Sequence, residues 1–225
     1  TLGLVARQQA ALHTLADTLP GQHHRYSLDV TDRHALKQAA LDFERATGGA
    51  DIVIANAGIS VGVKTAFEQD LEKFDRVIAT NLSAMAYTFH PFIEPMKSRK
   101  RGKLVGIASV AGVRGLRGSE AYCASKAGAI SYCESLRLDL RAANVRVLTL
   151  CPGFVQTDLT AKNPYPMPFM LSADDFAQRA VRAILGRQSY VVIPWPMALV
   201  AKALRLLPNW AFDRLFAGRK QKPRD

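Results

Sequence analysis

The sequence predicts a doubly wound α/β fold, a parallel sheet with helices on both faces, and three observations carry that prediction. Short apolar runs rich in Val, Ile and Leu alternate with longer amphipathic stretches almost from end to end. The runs are continuous rather than alternating apolar with polar, as strands covered on both faces must be. Helix start and stop signals fall between them: Asp32 and Ser172 as caps, Pro20-Gly21 and Gly48-Gly49 as stops.

The first strand is predicted over residues 2–6, followed by a helix over 8–19. A second strand covers 24–30, and Asp32 then opens a helix to about residue 47. The segment DIVIA (51–55) is a compact buried strand ending in Asn56-Ala57-Gly58. A long helical pattern over 71–97 is expected to kink in its last third, where Pro91 and Pro95 stand. KLVGIA (103–108) is a strand, 121–143 a long helix, and VRVLTL (145–150) a strand stopped by Cys151-Pro152-Gly153. A helix over 172–185 and a strand over 190–193 complete the pattern, which contains no internal repeat. Residues 1–193 therefore read as one catalytic-type domain, with 194–225 as a C-terminal amphipathic and basic extension.

Composition narrows the function classes. The 225 residues are 48% hydrophobic and 22% charged, enough for a buried core and unlike a disordered chain. Cys123, Cys133 and Cys151 form neither a CxxC nor a paired framework, which points to a reducing, cytoplasmic compartment. No ligand spacing for a metal is present, so none is expected. The start, TLGLVARQQ, has no features of a signal peptide, and no apolar run approaches the roughly 20 residues of a transmembrane helix. The net charge of +11 gathers in Lys97–Lys103 and in a tail holding Arg214, Arg219, Lys220, Lys222 and Arg224. The first patch has no interleaved aromatics, which argues against nucleic acid as a partner.

In doubly wound sheets the ligand lies beyond the carboxyl ends of the strands. There, YCASK places Tyr122 and Lys126 four positions apart, on one face of a helix that follows Ser109. A free phenol titrates near 10, and a neighbouring ammonium lowers that value by favouring the phenolate. Such a pair can donate and accept a proton in an alcohol–carbonyl interconversion, while a serine hydroxyl stabilises the developing oxyanion. Tyrosine and lysine at this spacing also occur by chance on many helices, so the pair alone decides nothing.

Its company does. Asn56-Ala57-Gly58, Asn81 within ATNLSA, Ser109, YCASK and PGFVQTD occur in one order, with Ser109 thirteen positions before Tyr122. On these motifs, residues 1 to about 193 resemble the classical short-chain dehydrogenase/reductases. The resemblance implies a Rossmann-type fold and an oxidoreductase. It makes Tyr122 the general acid/base, Lys126 the group that lowers its pKa and holds the nicotinamide ribose, Ser109 the residue orienting the carbonyl, and Asn81 the support of a proton-relay water. It sets Asn56, Ala57 and Gly58 against the adenosine ribose and Asp29 and Val30 at the adenine pocket. Pro152, Gly153, Val155 and Thr157 then line the nicotinamide. Where NAD-dependent members carry an acidic residue after their second strand, this chain has Ala6-Arg7. A guanidinium suits a 2′-phosphate, so NADP(H) is expected over NAD(H).

The family's opening strand, glycine-rich turn and helix have no counterpart here, since TLGLVAR matches the family's second strand. The resemblance implies that roughly 25–30 residues, most of a βαβ unit, precede this segment in the whole protein. The alternative is a non-catalytic scaffold or membrane-surface binding module. Prolines and apolar residues between 159 and 172 suggest a substrate lid and an apolar substrate such as a lipid-like ketone, aldehyde, steroid or retinoid, with a 3-oxoacyl thioester as the rival. The extension (Met197, Leu199, Val200, Leu204, Leu206, Leu207, then Trp210, Phe212, Leu215 and Phe216) reads as a flap or subunit contact, or as an interfacial segment on an anionic membrane. Ala121, Ala124, Ala127, Gly128 and Ala129 suit close helix packing, and the family suggests a homodimer or homotetramer.

Overall fold

The computed structural model describes residues 1–218 and 220–224; Arg219 of the basic tail lies outside the described residues. Its strands are β1 (Leu2–Ala6), β2 (His23–Ser27), β3 (Ile52–Ala55), β4 (Gly102–Ile107), β5 (Val145–Pro152) and β6 (Tyr190–Ile193). Its helices are α1 (Gln9–Thr18), α2 (Arg33–Thr47), α3 (Leu71–Ile78), α4 (Ala84–Ser98), α5 (Glu120–Leu140), α6 (Asp158–Ala161), α7 (Ala173–Leu185), α8 (Pro196–Leu206) and α9 (Asn209–Phe216).

All strand pairs are parallel, but the strands fall into two groups: β1 pairs with β2, and β3-β4-β5-β6 form a four-stranded sheet. The cleft between the groups is lined by Gly3 and Val5 on one side and by Ile54, Asn56 and Thr80 on the other. Leu2, Val5, Ile52 and Ile54, apolar residues in strand positions, stay exposed.

Strand alternation builds a core on each face of the larger sheet. Val53, Leu104, Val145 and Val147 pack with Met85, Phe89 and Met96 of α4 and Ala129 and Cys133 of α5. Val105 and Leu148, one position on, face Ala183 and Ile184 of α7. Local signals fix the helix ends. The Asp32 carboxylate accepts from the N–H groups of His34 and Ala35, Gly48 closes α2 in the left-handed region, and Ser172 Oγ accepts from the Asp175 N–H.

The expected long helix over 71–97 is interrupted, though not at its prolines. A π-turn over Ala79–Ser83 separates α3 from α4, and α4 continues through Pro91 and Pro95 to Ser98. Single π-turns inside helices gather at functional sites, and this one contains Asn81. The second strand stops at Ser27, short of residue 30, while β5 runs on through Cys151 and Pro152, where Pro152 is in register with Ile193.

The first basic patch is dispersed. Arg99 pairs with Glu44 at 2.9 Å and Arg101 with Asp51 at 3.0 Å. Lys103 is buried and donates to the Ile184 and Gly186 carbonyls at the end of α7. Among the described residues no helix is long and apolar enough to cross a membrane.

Candidate active site

β4 delivers Ser109 just beyond its carboxyl end, and α5 delivers Tyr122 and Lys126 from its first two turns. The Ser109 side chain stands beside the Tyr122 phenol, close enough to lower it, and accepts from the Ala111 N–H at 3.2 Å. Lys126 Nζ lies 5.9 Å from the centre of the Tyr122 ring and donates to the Ile107 carbonyl at 2.8 Å, a bond that ties α5 to the end of β4. A Cβ placed on Gly112 would fall 2.6 Å from the Lys126 carbonyl carbon, so only glycine lets the turn after Ser109 approach α5 this closely.

Asn81 is fully engaged. Its Oδ1 accepts from the Ile59 N–H at 2.8 Å, and its Nδ2 donates to the Ile59 carbonyl and to Ser125 Oγ. Ser125 Oγ in turn donates to the Tyr122 carbonyl at 2.8 Å. This buried chain runs from the loop after Gly58 through the π-turn to the tyrosine's own helix. Gly58 lies beside it, its Cβ position 3.6 Å from Lys126 Nζ.

Burial sets the protonation tendencies. It raises the Tyr122 phenol, opposed by the Ser109 hydroxyl, and it lowers the Lys126 ammonium to about 8. In both groups desolvation is the largest influence, and Lys126 stands over the ring face rather than at the hydroxyl.

Three of the residues expected at a cofactor share one cleft. Val30, Asn56 and Ala57 border the cleft between the two strand groups. Arg7 and Asp29, which follow β1 and β2, are 4.0 Å apart and both well exposed. Two Thr31 hydrogen bonds, and secondarily Arg7, hold the Asp29 carboxyl below its usual range. On the far side Gly153 donates to the Ile193 carbonyl at 2.8 Å, Val155 bridges to Leu171, and Thr157 forms a capping box with Thr160 at the start of α6.

Three residues near the pair escaped sequence reasoning. Ser125 was visible only as a polar residue in a run of small ones. Tyr165, near enough to raise the Tyr122 phenol further, arrives from the 159–172 segment. Lys222 arrives from the chain's end, donating to Ser60 Oγ and the Leu159 carbonyl. No group of three or more His, Cys, Asp or Glu that could hold a metal occurs among the described residues.

Comparison with known proteins agrees with this geometry. The short chain dehydrogenase family profile matches residues 1–166. An uncharacterized oxidoreductase of Myxococcus xanthus is 40% identical over 186 residues, which are 83% of this chain and 73% of the relative. A 3-oxoacyl-[acyl-carrier-protein] reductase of Thermotoga maritima is 33% identical over 66% of this chain and 60% of its own length. An acetoacetyl-CoA reductase of Synechocystis is 38% identical over 59% of this chain and 55% of its own length. The structure of a short-chain dehydrogenase from Streptomyces avermitilis superposes with a TM-score of 0.78 at 20% identity, over 90% of this chain and 82% of that one, a likeness of fold. The parallel α/β architecture is of the Rossmann type, and the family match makes the chain that of an oxidoreductase. The chain belongs to the short-chain dehydrogenase family, whose members use nicotinamide cofactors.

Proposed function

We propose that the protein is an NADP(H)-dependent oxidoreductase interconverting a carbonyl and an alcohol, with Ser109, Tyr122 and Lys126 as its catalytic residues. The observation that carries this reading is the Ser109 hydroxyl beside the Tyr122 phenol, close enough to oppose its rise, with Lys126 Nζ over the same ring. A carbonyl oxygen meeting both hydroxyls would be oriented by Ser109 and take its proton from Tyr122 Oη, which burial keeps protonated. Lys126 spends one of its three N–H donors on Ile107 and retains others for a ribose hydroxyl. Asn81 acts by positioning the loop after Gly58.

The residues present fit the cofactor: Val30 and Asn56-Ala57 follow the carboxyl ends of β2 and β3, where a doubly wound sheet takes its ligand, and Gly58 beside them lies close to Lys126 Nζ. When bound, the nicotinamide supplies the hydride chemistry. Arg7, exposed and only loosely paired, supports a preference for the 2′-phosphate form. The diphosphate site would come from a strand, glycine-rich turn and helix seated between β1 and β3, where exposed Leu2, Val5, Ile52 and Ile54 await cover.

Phe154, Tyr165 and Met197 near the site support an apolar substrate. A 3-oxoacyl thioester is the second reading, supported by the names of the Thermotoga and Synechocystis relatives. The exposed Ala124 and Ala127 on α5 support a homodimer or homotetramer, checked by sedimentation equilibrium. Replacing Tyr122→Phe tests the reading: NADPH binding should persist while turnover falls by at least about a hundredfold. Retained turnover would refute the role.

A further inference from the structure

After α9 the described tail residues 221–224 lie against the body of the molecule. Arg114 donates to the Leu204 and Leu207 carbonyls and stacks on Phe212 at 4.1 Å, and Arg117 donates to the Ala217 carbonyl at 2.6 Å. Both arginines stand in the loop just before Tyr122. Gln221 lies against Gly118, and the Gly62 N–H donates to the Pro223 carbonyl at 2.8 Å. A Cβ on Gly62 would fall 2.3 Å from that same oxygen, so the strap's backbone lies where a side chain would be.

A latch closes the strap. Arg224 Nε meets Asp70 Oδ2 at 2.7 Å, with its guanidinium 3.8 Å from the centre of the Phe67 ring. Asp70 is fully buried, and Lys73 both pairs with it and donates to the Arg224 carbonyl. A buried carboxylate with a matching guanidinium is a specific socket rather than a chance surface contact.

The latch sets Lys222 between the segment after Gly58 and the segment after Thr157. Its Nζ donates to Ser60 Oγ at 2.9 Å, two residues beyond Gly58, and to the Leu159 carbonyl at 3.0 Å, two residues beyond Thr157. Both acceptors are neutral, and among the described residues no carboxylate is in ion-pair contact with it; burial depresses the ammonium. A half-buried cation satisfied only by neutral oxygens has charge left over for an anion.

We propose that the residue 221–224 strap, latched by Arg224 on Asp70, presents Lys222 as an anion-recognising residue of the active-site cleft, its ligand a phosphate group. This deepens the reading above, and rests on it. The phosphate has two sources: the dinucleotide's diphosphate, or the phosphate-bearing carrier of an acyl thioester. In either case Lys222 contributes to binding and not to proton transfer.

The test uses the full-length protein, with Lys222→Gln, Lys222→Arg and Arg224→Ala. NADPH affinity is read by fluorescence titration, and KM is read for acetoacetyl-CoA and for ethyl acetoacetate, a neutral ketone ester. Losing a charge-assisted bond should weaken the anionic ligand by at least about tenfold, with Lys222→Arg largely restoring it and Arg224→Ala causing a smaller loss. A weaker NADPH complex assigns the cofactor as source. Unchanged NADPH affinity with a raised KM for the thioester alone assigns the substrate. Unaltered values for both, or tighter binding once the strap is released, would overturn the proposal. A wild-type protein that binds no NADPH would instead overturn the function proposed above, and inorganic pyrophosphate, titrated against wild type and Lys222→Gln, would still decide the role of Lys222.

Discussion

Single residues set the chemistry, and two of them give separable predictions. Arg7 follows β1 with an exposed side chain, so Arg7→Asp can be made without disturbing the core. Exchanging a phosphate partner for a repelling carboxylate should shift the ratio of kcat/KM for NADPH over NADH by about ten- to a hundredfold or more. Unchanged selectivity would remove Arg7 from the cofactor site. Asp70 offers a pH test. Arg224, with Lys73 beside it, lowers its carboxyl from 3.8 to about 2. The latch is therefore fully present above the ordinary carboxyl value and is lost as pH falls towards about 2. The Arg224 Nε–H resonance should remain protected at pH 5 and collapse only below about pH 4, while Asp70→Asn should expose it throughout. Tyr122, Lys126 and Ser109 were legible in the sequence because a helical repeat and a strand end place them without knowledge of the tertiary fold. Lys222 was not: the Ser60 it meets is 162 positions away, and no local pattern signals a contact of that range.

At the scale of elements, the interrupted α3–α4 pair shows where local rules mislead. Pro91 and Pro95 are strong breakers, yet α4 absorbs both, and the distortion falls at Asn81, where side-chain hydrogen bonds to Ile59 and Ser125 compete with the helical ladder. Propensity could not reveal that competition, because Ser125 comes from another helix. The proline of Cys151-Pro152-Gly153 likewise read as a stop, but the strand's last residue tolerates one. The C-terminal helices carry a different message. Trp195, Leu199, Leu206, Trp210 and Leu215 are all exposed, Leu206 at 84%, with Lys202, Arg205 and Arg214 among them in the sequence. We propose contact with an anionic membrane surface, supported by this pairing of large apolar and basic side chains. A Trp195→Ser, Leu206→Ser, Trp210→Ser variant should lose most sedimentation with phosphatidylserine vesicles while keeping its helicity. Equal sedimentation of variant and wild type would exclude the contact.

For the whole molecule, the divided sheet is the dominant fact. A parallel sheet with two facing inner edges and four exposed aliphatic side chains leaves backbone donors and acceptors along the break. The fold class could be read from strand and helix alternation, and the division follows from the opening strand that the family resemblance implies and this chain lacks. If a strand-turn-helix completes the sheet, the protein from its natural source should have an intact mass roughly 3 kDa above the 24.6 kDa of this chain. A mass of 24.6 kDa would favour the non-catalytic binding module. The strap has a practical corollary. Because Arg224 is clasped against Asp70, a bulky reporter attached beside it should loosen the latch and misreport ligand affinity.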